Sequence, residues 1–274
     1  MLRRLLATAV AALRGEALAA VEFPLDTEAK LNALHGRAPV DRHLEVLLDG
    51  ETIGDERFVD CFRRCLTETG TPVTPYNVFH RFQSRRDLLK YFYASLDVEG
   101  ARAECGAYRG ATALLLARAW RARRPDFDGD GLYLIDSFAG TSTSGPQDLI
   151  PVRDATGLRR DPFFPVAQAG IDPEAVRRSF HEFPRVRLCA DWIPQVFAPL
   201  TDLRWAFVHL DVTLYAPTRA SLEYFYPRLN PGGIIVCDGS PFCPGARAAW
   251  EEYCREHDLA YIVLGNRESV LVRT

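Results

Sequence analysis

A glycine-containing turn preceded by an acidic residue lies in the middle of the chain. Glu104 comes near the end of an apolar run and opens the segment Glu104-Cys105-Gly106-Ala107-Tyr108-Arg109-Gly110. Gly106 and Gly110 allow a tight turn in which a ligand can approach bare backbone. A dinucleotide-binding turn needs a glycine at the position of Tyr108, where the backbone makes room for a pyrophosphate. The turn therefore favours a ligand without phosphate, and the Glu104 carboxylate suits one with a cationic amino group.

A second acid follows the next apolar run along the chain. The segment Leu132-Tyr133-Leu134-Ile135 closes in Asp136, which Ser137 follows. In a βαβ unit this position presents a carboxylate to ribose hydroxyls. A strand-end acid is also a common helix cap or turn former. Because the glycine turn lies one βα unit earlier, we favour the ribose contact.

A third corner combines an acceptor with a flat ring. Asp191 and Trp192 end the following apolar run and are suited to the amino group and the face of an adenine. Packing of Trp192 in the core is an equally good interpretation.

Two further acids, Asp211 and Asp238, follow the last two long apolar runs. If those runs are adjacent parallel strands, both carboxylates lie at one sheet edge, where they could act in catalysis and hold a water-rich magnesium ion. The alternative is that both acids cap turns. Thr213 cannot be a general base at neutral pH. His209 shares a strand face with Asp211, and His80 precedes the sheet, but each is more often a packed or surface residue.

The elements that would position these residues change in kind near residue 100. Residues 57–69 and 85–95 have helix-like apolar spacing, with a break at Pro72 and Pro75. Beyond them, short apolar strands alternate with helices, which predicts an α/β fold with a doubly wound, seven-stranded, mostly parallel sheet. We place the strands at 101–105, 132–135, 186–189, 205–210, 233–237, 260–264 and 269–272, and the helices near 110–123, 173–182, 216–228 and 245–257.

This pattern divides the chain into a helical N-terminal extension, residues 1–95, and a cofactor-binding α/β domain, residues 96–274. The extension could serve packing, dimer contact or the substrate pocket. Its first residues resemble a signal peptide superficially, but Arg14 and Glu16 interrupt the apolar stretch, which favours an amphipathic helix. The polar stretch 140–169 is a candidate lid or substrate loop, and an ordered surface excursion is the alternative.

Composition limits the partners and the compartment. The chain has 274 residues, 47% of them hydrophobic, and a formal net charge of -3, so we expect a small-molecule partner and no nucleic acid. No segment approaches the roughly 20 apolar residues of a membrane-spanning helix, so we expect no membrane. Seven cysteines, an odd number, favour reduced thiols and a cytoplasmic setting. Cys61 and Cys65 share a helix face, where packing is more probable than zinc.

Taken with His209-Leu210-Asp211-Val212-Thr213-Leu214-Tyr215 and Leu229-Asn230-Pro231-Gly232-Gly233, these motifs resemble the macrocin O-methyltransferase-like family from about Tyr76 to the C-terminus. That family is similar in fold to other class I methyltransferases. It includes bacterial enzymes that methylate hydroxyls on sugars of glycosylated antibiotics and use a divalent metal, usually magnesium. The resemblance implies contacts with S-adenosylmethionine along the glycine turn and at the next two strand ends. The residues that the resemblance implies are Glu104, Gly106, Asp136, Ser137, Asp191 and Trp192. Tyr108 and Gly110, from the same turn, complete the candidate cofactor-binding residues.

Two departures from the family pattern fall at the expected catalytic position. The family has Asp-x-Asp-x-Tyr where this chain has Asp211-Val212-Thr213-Leu214-Tyr215, and Asp-Asp-Tyr-Gly where Gly239 and Ser240 directly follow Asp238. We therefore expect an S-adenosylmethionine-dependent O-methyltransferase acting on a hydroxyl of a small natural product, for instance a sugar. The alternative is a cofactor-binding member with lost or altered methyl transfer. A nucleotide-binding oxidoreductase is disfavoured by Tyr108.

Overall fold

A computed structural model describes residues 52–72, 81–154, 157–162, 170–238, 243–265 and 268–274. The amphipathic helix expected in the first residues, His80, and the Gly239-Ser240 pair lie outside these ranges, so those expectations remain predictions.

Helices and strands follow the predicted order, with two additional hairpins. The described chain begins with the short antiparallel strands β1 (Thr52–Ile53) and β2 (Glu56–Arg57), then helices α1 (Phe58–Glu68) and α2 (Arg81–Ala94). The α/β region contains β3 (Ala101–Cys105), α3 (Ala111–Arg123), β4 (Leu132–Asp136), β5 (Leu149–Asp154), β6 (Gly157–Pro162), α4 (Pro173–Ser179), β7 (Arg187–Ala190), β8 (Trp205–Leu210), α5 (Tyr215–Phe225), β9 (Leu229–Cys237), α6 (Pro244–Glu256), β10 (Ile262–Val263) and β11 (Ser269–Val272).

Seven of these strands form one mixed sheet in the order β10-β11-β9-β8-β3-β4-β7. The neighbours from β9 to β7 are parallel, whereas β11 runs antiparallel to β9 and β10. The chain winds outward from β3 through β4 to β7, then returns to β8 on the other side of β3. This confirms the predicted doubly wound, mostly parallel sheet and places a topological switch point between β3 and β8.

Side chains alternate between two apolar layers, so both faces of the sheet are covered. In β4, Leu132 and Leu134 pack on the side of α1, α2 and α3, whereas Tyr133 and Ile135 pack with α5 and α6 residues. Such two-sided burial is the reason parallel strands appear as continuous apolar runs in sequence. Because α1 and α2 share one core with α3, the described part of the N-terminal extension packs directly on the α/β domain.

The predicted lid segment contains an antiparallel hairpin that the sequence did not indicate. β5 and β6 pair from Leu149↔Pro162 to Asp154↔Gly157. At the base of the hairpin, the buried Asp148 accepts hydrogen bonds from the N–H groups of Tyr215, at 2.8 Å, and Gly145, at 2.7 Å. The hairpin is therefore tied to the start of α5.

All seven cysteines are free thiols, and Cys61 and Cys65 are buried in the helical core. Within the described ranges, no helix combines the length and the apolar character needed to cross a bilayer.

Candidate functional site

Backbone hydrogen bonds continue one residue beyond the parallel strands and keep the carboxyl ends of neighbouring strands side by side. The N–H of Asp211 donates to Cys105 O, and the N–H of Asp238 donates to Leu210 O, both at 2.8 Å. On the other side of β3, Gly106 N–H donates to Ile135 O at 2.8 Å. We call this line, formed by the ends of β3, β4, β7, β8 and β9, the carboxyl edge. It brings the predicted site residues of five strands together where open α/β sheets bind ligands.

Gly106 begins the turn after β3 in a conformation and a space that only glycine fits. Its φ is +84°, and a Cβ on this residue would lie 2.2 Å from the carbonyl oxygen of Asp211. Gly110 has φ +87° and directly precedes α3, and a Cβ there would meet the Phe180 ring at 2.8 Å. The two glycines therefore let the turn lie close against the neighbouring strand end and against the α4 region.

Asp136 organises the backbone around this turn. One carboxylate oxygen accepts the N–H of Tyr108 and the other accepts the N–H of Phe138, both at 2.8 Å. Tyr108 and Phe138 have φ values of +50° and +52°, so the carboxylate holds two left-handed residues in place. Burial raises the pKa of Asp136 above its ordinary value, although these two hydrogen bonds oppose the shift. Each oxygen can still accept a further hydroxyl donor.

Glu104 lies deeper than the turn and is paired with His209. Its Oε1 lies 3.1 Å from Nδ1 of the histidine, and both side chains are fully buried. Among the described residues, no hydrogen-bond partner reaches Glu104 Oε2 or His209 Nε2. One carboxylate oxygen of this buried pair therefore has no hydrogen-bond partner among the described residues.

Tyr108, Asp191 and Trp192 form the exposed rim of the carboxyl edge, whereas Ser137 is half-buried. Tyr108 and Trp192 are 38% and 39% exposed. Asp191 is exposed, accepts the N–H of Trp192 at 2.7 Å and donates its own N–H to Asp136 O. Ser137 Oγ donates to Gly140 O and so shapes the start of the segment that leads to the hairpin.

Asp211 and Asp238 converge as the sequence predicts, but they converge on an arginine. Nη2 of Arg85 lies 2.9 Å from Oδ2 of Asp211, and Nη1 lies 3.3 Å from Oδ2 of Asp238. Glu268, which is also buried, contributes a third carboxylate 3.7 Å from Nη1. The side chains of His209, Asp211 and Asp238 each bring one possible ligand atom within 4.8 Å of the other two. These three residues therefore also have the spacing of a cation site.

Thr213, which stands where the family pattern has its second aspartate, is backbone-strained. Its φ is +54°. A β-branched residue in the left-handed region is uncommon, whereas aspartate tolerates it better. The strain lies two residues from Asp211, in the turn that leads into α5.

Arg85 is the site residue that sequence reasoning missed. It lies in α2 between the buried residues Phe82 and Leu88, at the spacing of an apolar helix face. A cation on that face was a usable signal of a buried acidic partner, because buried charges are paired. Its partners lie 126 and 153 residues away along the chain, and no local pattern identifies them.

The sheet order, together with a glycine turn and strand-end acids at the switch point, defines the fold of class I methyltransferases. Solved structures agree. The O-methyltransferase NovP is similar with a TM-score of 0.60 and 20% identity, covering 79% of this chain and 98% of its own. The calicheamicin methyltransferase CalS11 has a TM-score of 0.57 and 18% identity over 78% of this chain and 91% of its own.

The chain belongs to the macrocin O-methyltransferase (TylF) family, whose pattern matches residues 79–264. A demethyldecarbamoylnovobiocin O-methyltransferase of Streptomyces niveus is 28% identical over 60% of this chain and 62% of its own length. A mycinamicin III 3''-O-methyltransferase of Micromonospora griseorubida is 27% identical over 60% of this chain and 63% of its own length. The chain thus spans just under two thirds of the length of these curated relatives.

Proposed function

We propose that this chain is an S-adenosylmethionine-dependent O-methyltransferase that acts on a hydroxyl of a small natural product, for instance a sugar hydroxyl. The observation that carries the proposal is the joint position of the Gly106 turn and Asp136 at the switch point of the sheet. The names of the relatives support the acceptor class, since they are O-methyltransferases of novobiocin and mycinamicin compounds.

The residues at the carboxyl edge fit this cofactor in chemistry and in space. The bare backbone at Gly106 permits close approach. Asp136 can accept ribose hydroxyls, and the exposed Trp192 ring offers a face for adenine. The unpartnered Oε2 of Glu104 can accept from an amino group. The carboxylates of Glu104 and Asp136 beside the glycine turn favour a cationic ligand, whereas Arg85 offsets the charges of Asp211 and Asp238.

Asp211 and Asp238 are the candidates for proton removal. The bound cofactor supplies an electrophilic methyl group, which is transferred to the acceptor oxygen as the carbon–sulfur bond breaks. An aliphatic hydroxyl is a weak nucleophile at neutral pH, so a base must take its proton, and these carboxylates are placed to do so. Both aspartates lie at the strand ends beside the glycine turn, and Asp238 is the more exposed of the two. A carboxylate beside the cofactor turn could also hold the acceptor hydroxyl in line with the methyl group.

The experiment is a paired binding and turnover measurement on the purified chain. Calorimetry with S-adenosylhomocysteine tests the cofactor site, and release of S-adenosylhomocysteine from S-adenosylmethionine tests transfer to a panel of deoxysugar glycosides. We expect binding, and turnover with at least one glycoside that Asp238→Asn reduces. Binding without turnover across the panel would favour the member with lost or altered transfer. Absence of binding would reject the proposal.

A further inference from the structure

The guanidinium of Arg85 is fixed on every side that the structure describes. Arg85 is 1% exposed, although it is charged. Its Nε donates to Thr112 Oγ1 in α3 at 2.8 Å, and Nη1 donates to Ser84 Oγ at 3.2 Å. Nη2 donates to Asp211, and Nη1 also donates to Asp238. Removing a charge from water is costly unless hydrogen bonds and opposite charges compensate for it. The bonds around Arg85 provide that compensation and hold the guanidinium in one position.

The position of Arg85 decides whether the acids fit the divalent metal that the family pattern implies. Magnesium binds at about 2.0–2.1 Å to oxygen ligands in near-octahedral geometry. The Oδ2 atoms of Asp211 and Asp238 are already bonded to the guanidinium. An ion on those oxygens would place a double positive charge beside the buried arginine, and Thr213 supplies no carboxylate in compensation. His209 offers nitrogen, which is a poor magnesium ligand. The residues present do not fit magnesium.

We propose that Arg85 takes the place of the divalent cation in this chain, and that cofactor binding and methyl transfer need no added metal. The parts of the inference that concern cofactor binding and methyl transfer rest on the proposed function, whereas the replacement of the cation by Arg85 does not. Arg85 is a positioning residue: it neutralises part of the acidic cluster and orients Asp211 and Asp238 at the carboxyl edge. A planar arginine can hold two carboxylates at once, which is the geometric task that a metal would otherwise perform.

Manganese, which replaces magnesium and has an electron paramagnetic resonance signal, gives a test independent of turnover. The full-length chain is titrated with Mn²⁺, and the loss of the free-ion signal is followed for the wild type, Arg85→Ala and the double variant Arg85→Ala/Asp211→Asn. We expect no stoichiometric uptake by the wild type at millimolar Mn²⁺. We expect uptake of one equivalent by Arg85→Ala and its loss in the double variant. Arg86→Ala, the adjacent helix residue that donates to Gln83, is the matched control and should behave as the wild type.

Calorimetry supplies the second readout. S-adenosylhomocysteine should bind the wild type equally well with and without EDTA, within a factor of about two. One equivalent of Mn²⁺ bound by the wild type and removed by Asp211→Asn would overturn the inference. A folded Arg85→Ala that takes up no Mn²⁺ would overturn it as well. If Arg85→Ala does not fold, the wild-type and Asp211→Asn titrations decide the question. Failure of the proposed function appears separately, as absence of S-adenosylhomocysteine binding under every metal condition.

Discussion

The Cα of Gly106 faces the backbone of Asp211 so closely that a single added carbon would lie 2.2 Å from the aspartate's carbonyl oxygen. This contact joins the glycine turn after β3 to the strand end that carries a candidate catalytic acid. The two halves of the candidate site are therefore mechanically coupled through backbone, which cannot yield as a flexible side chain can.

Gly106→Ala is accordingly expected to destabilise the fold and weaken cofactor binding together. Overpacking against backbone costs about 1–3 kcal/mol, and the left-handed conformation adds about 1–2 kcal/mol. Gly232→Ala is the matched control, since Gly232 has φ +80° but its added Cβ would meet, among the described residues, only a Val98 methyl at 3.4 Å. Thermal unfolding and calorimetry with S-adenosylhomocysteine would measure both effects. Equal losses in the two variants would contradict the importance of the close contact.

Asp136→Asn should weaken S-adenosylhomocysteine binding about tenfold to a hundredfold, because a charge-assisted hydrogen bond contributes about 1.5–3 kcal/mol. Burial raises the pKa of Asp136, so wild-type affinity should be constant near neutrality and should fall on acidification through that raised pKa, as the acceptor becomes protonated. The variant should lack this acidic decline. Asp191→Asn, at the exposed rim, is the control and should lose less. Calorimetry across pH would show the difference.

Trp192 makes the adenine contact testable by fluorescence. The other three tryptophans, Trp120, Trp205 and Trp250, are buried, so acrylamide should quench Trp192 preferentially. S-adenosylhomocysteine should reduce this quenching, because a stacked adenine would cover the ring. Trp192→Phe should remove the ligand-dependent change. A ligand effect that persists unchanged in Trp192→Phe would place the adenine elsewhere.

Thr213→Asn should raise the free energy of unfolding by about 1 kcal/mol, since asparagine adopts left-handed backbone more readily than a β-branched residue. Thr201→Asn is a suitable control, because Thr201 is exposed and has φ -63°. Chemical denaturation of both variants would measure the change. A destabilised Thr213→Asn would mean that contacts of the threonine side chain outweigh its backbone strain.

An ion-pair network that ties Glu68 of α1 and Glu182, in the segment after α4, to arginines of α3 predicts acid sensitivity. Burial alone would raise the pKa of Glu182, but hydrogen bonds from Arg118 and Arg121 lower it to about 2. An acid with a lowered folded-state pKa contributes stability above its ordinary pKa of 4.5, and that contribution is lost as pH falls toward 2. Melting temperature should therefore fall less steeply between these pH values in Glu182→Gln than in the wild type. Glu251→Gln, an exposed partner of Arg247, is the control and should follow the wild-type slope.

The strands of the main sheet were predictable because burial on both faces leaves a strong apolar signal. β3, β8 and β11 begin and end at the predicted residues. β9 begins at Leu229 instead of the predicted 233, since a register irregularity opposite Trp205 accommodates Asn230-Pro231-Gly232, residues that are typical of turns. The β5–β6 hairpin has no alternating pattern, and Pro151 and Pro162 argue against strand structure, so its pairing escaped prediction.

The sequence predicted the site residues at the strand ends but not Arg85, which helix α2 contributes. Topology alone brings Asp211 and Asp238 to one edge, because both follow parallel neighbours. The pairing of Glu104 with His209 follows from the register of the neighbouring strands β3 and β8. The position of Arg85 depends on which helix packs across the sheet, which is a property of tertiary structure. The sequence therefore indicated the acids but not the cation that they hold.

The buried carboxylate of Asp148 fixes the β5–β6 hairpin to the helices beside it. A Cβ on Gly245 would lie 1.7 Å from Oδ1 of Asp148. The start of α6, like the start of α5, is therefore packed tightly against the Asp148 carboxylate. Because the base of the β5–β6 hairpin is anchored in this way, amino-acid substitutions in β5 or β6 need not disturb the glycine turn, Asp211 or Asp238. The sequence of the hairpin can therefore vary independently of the residues at the carboxyl edge.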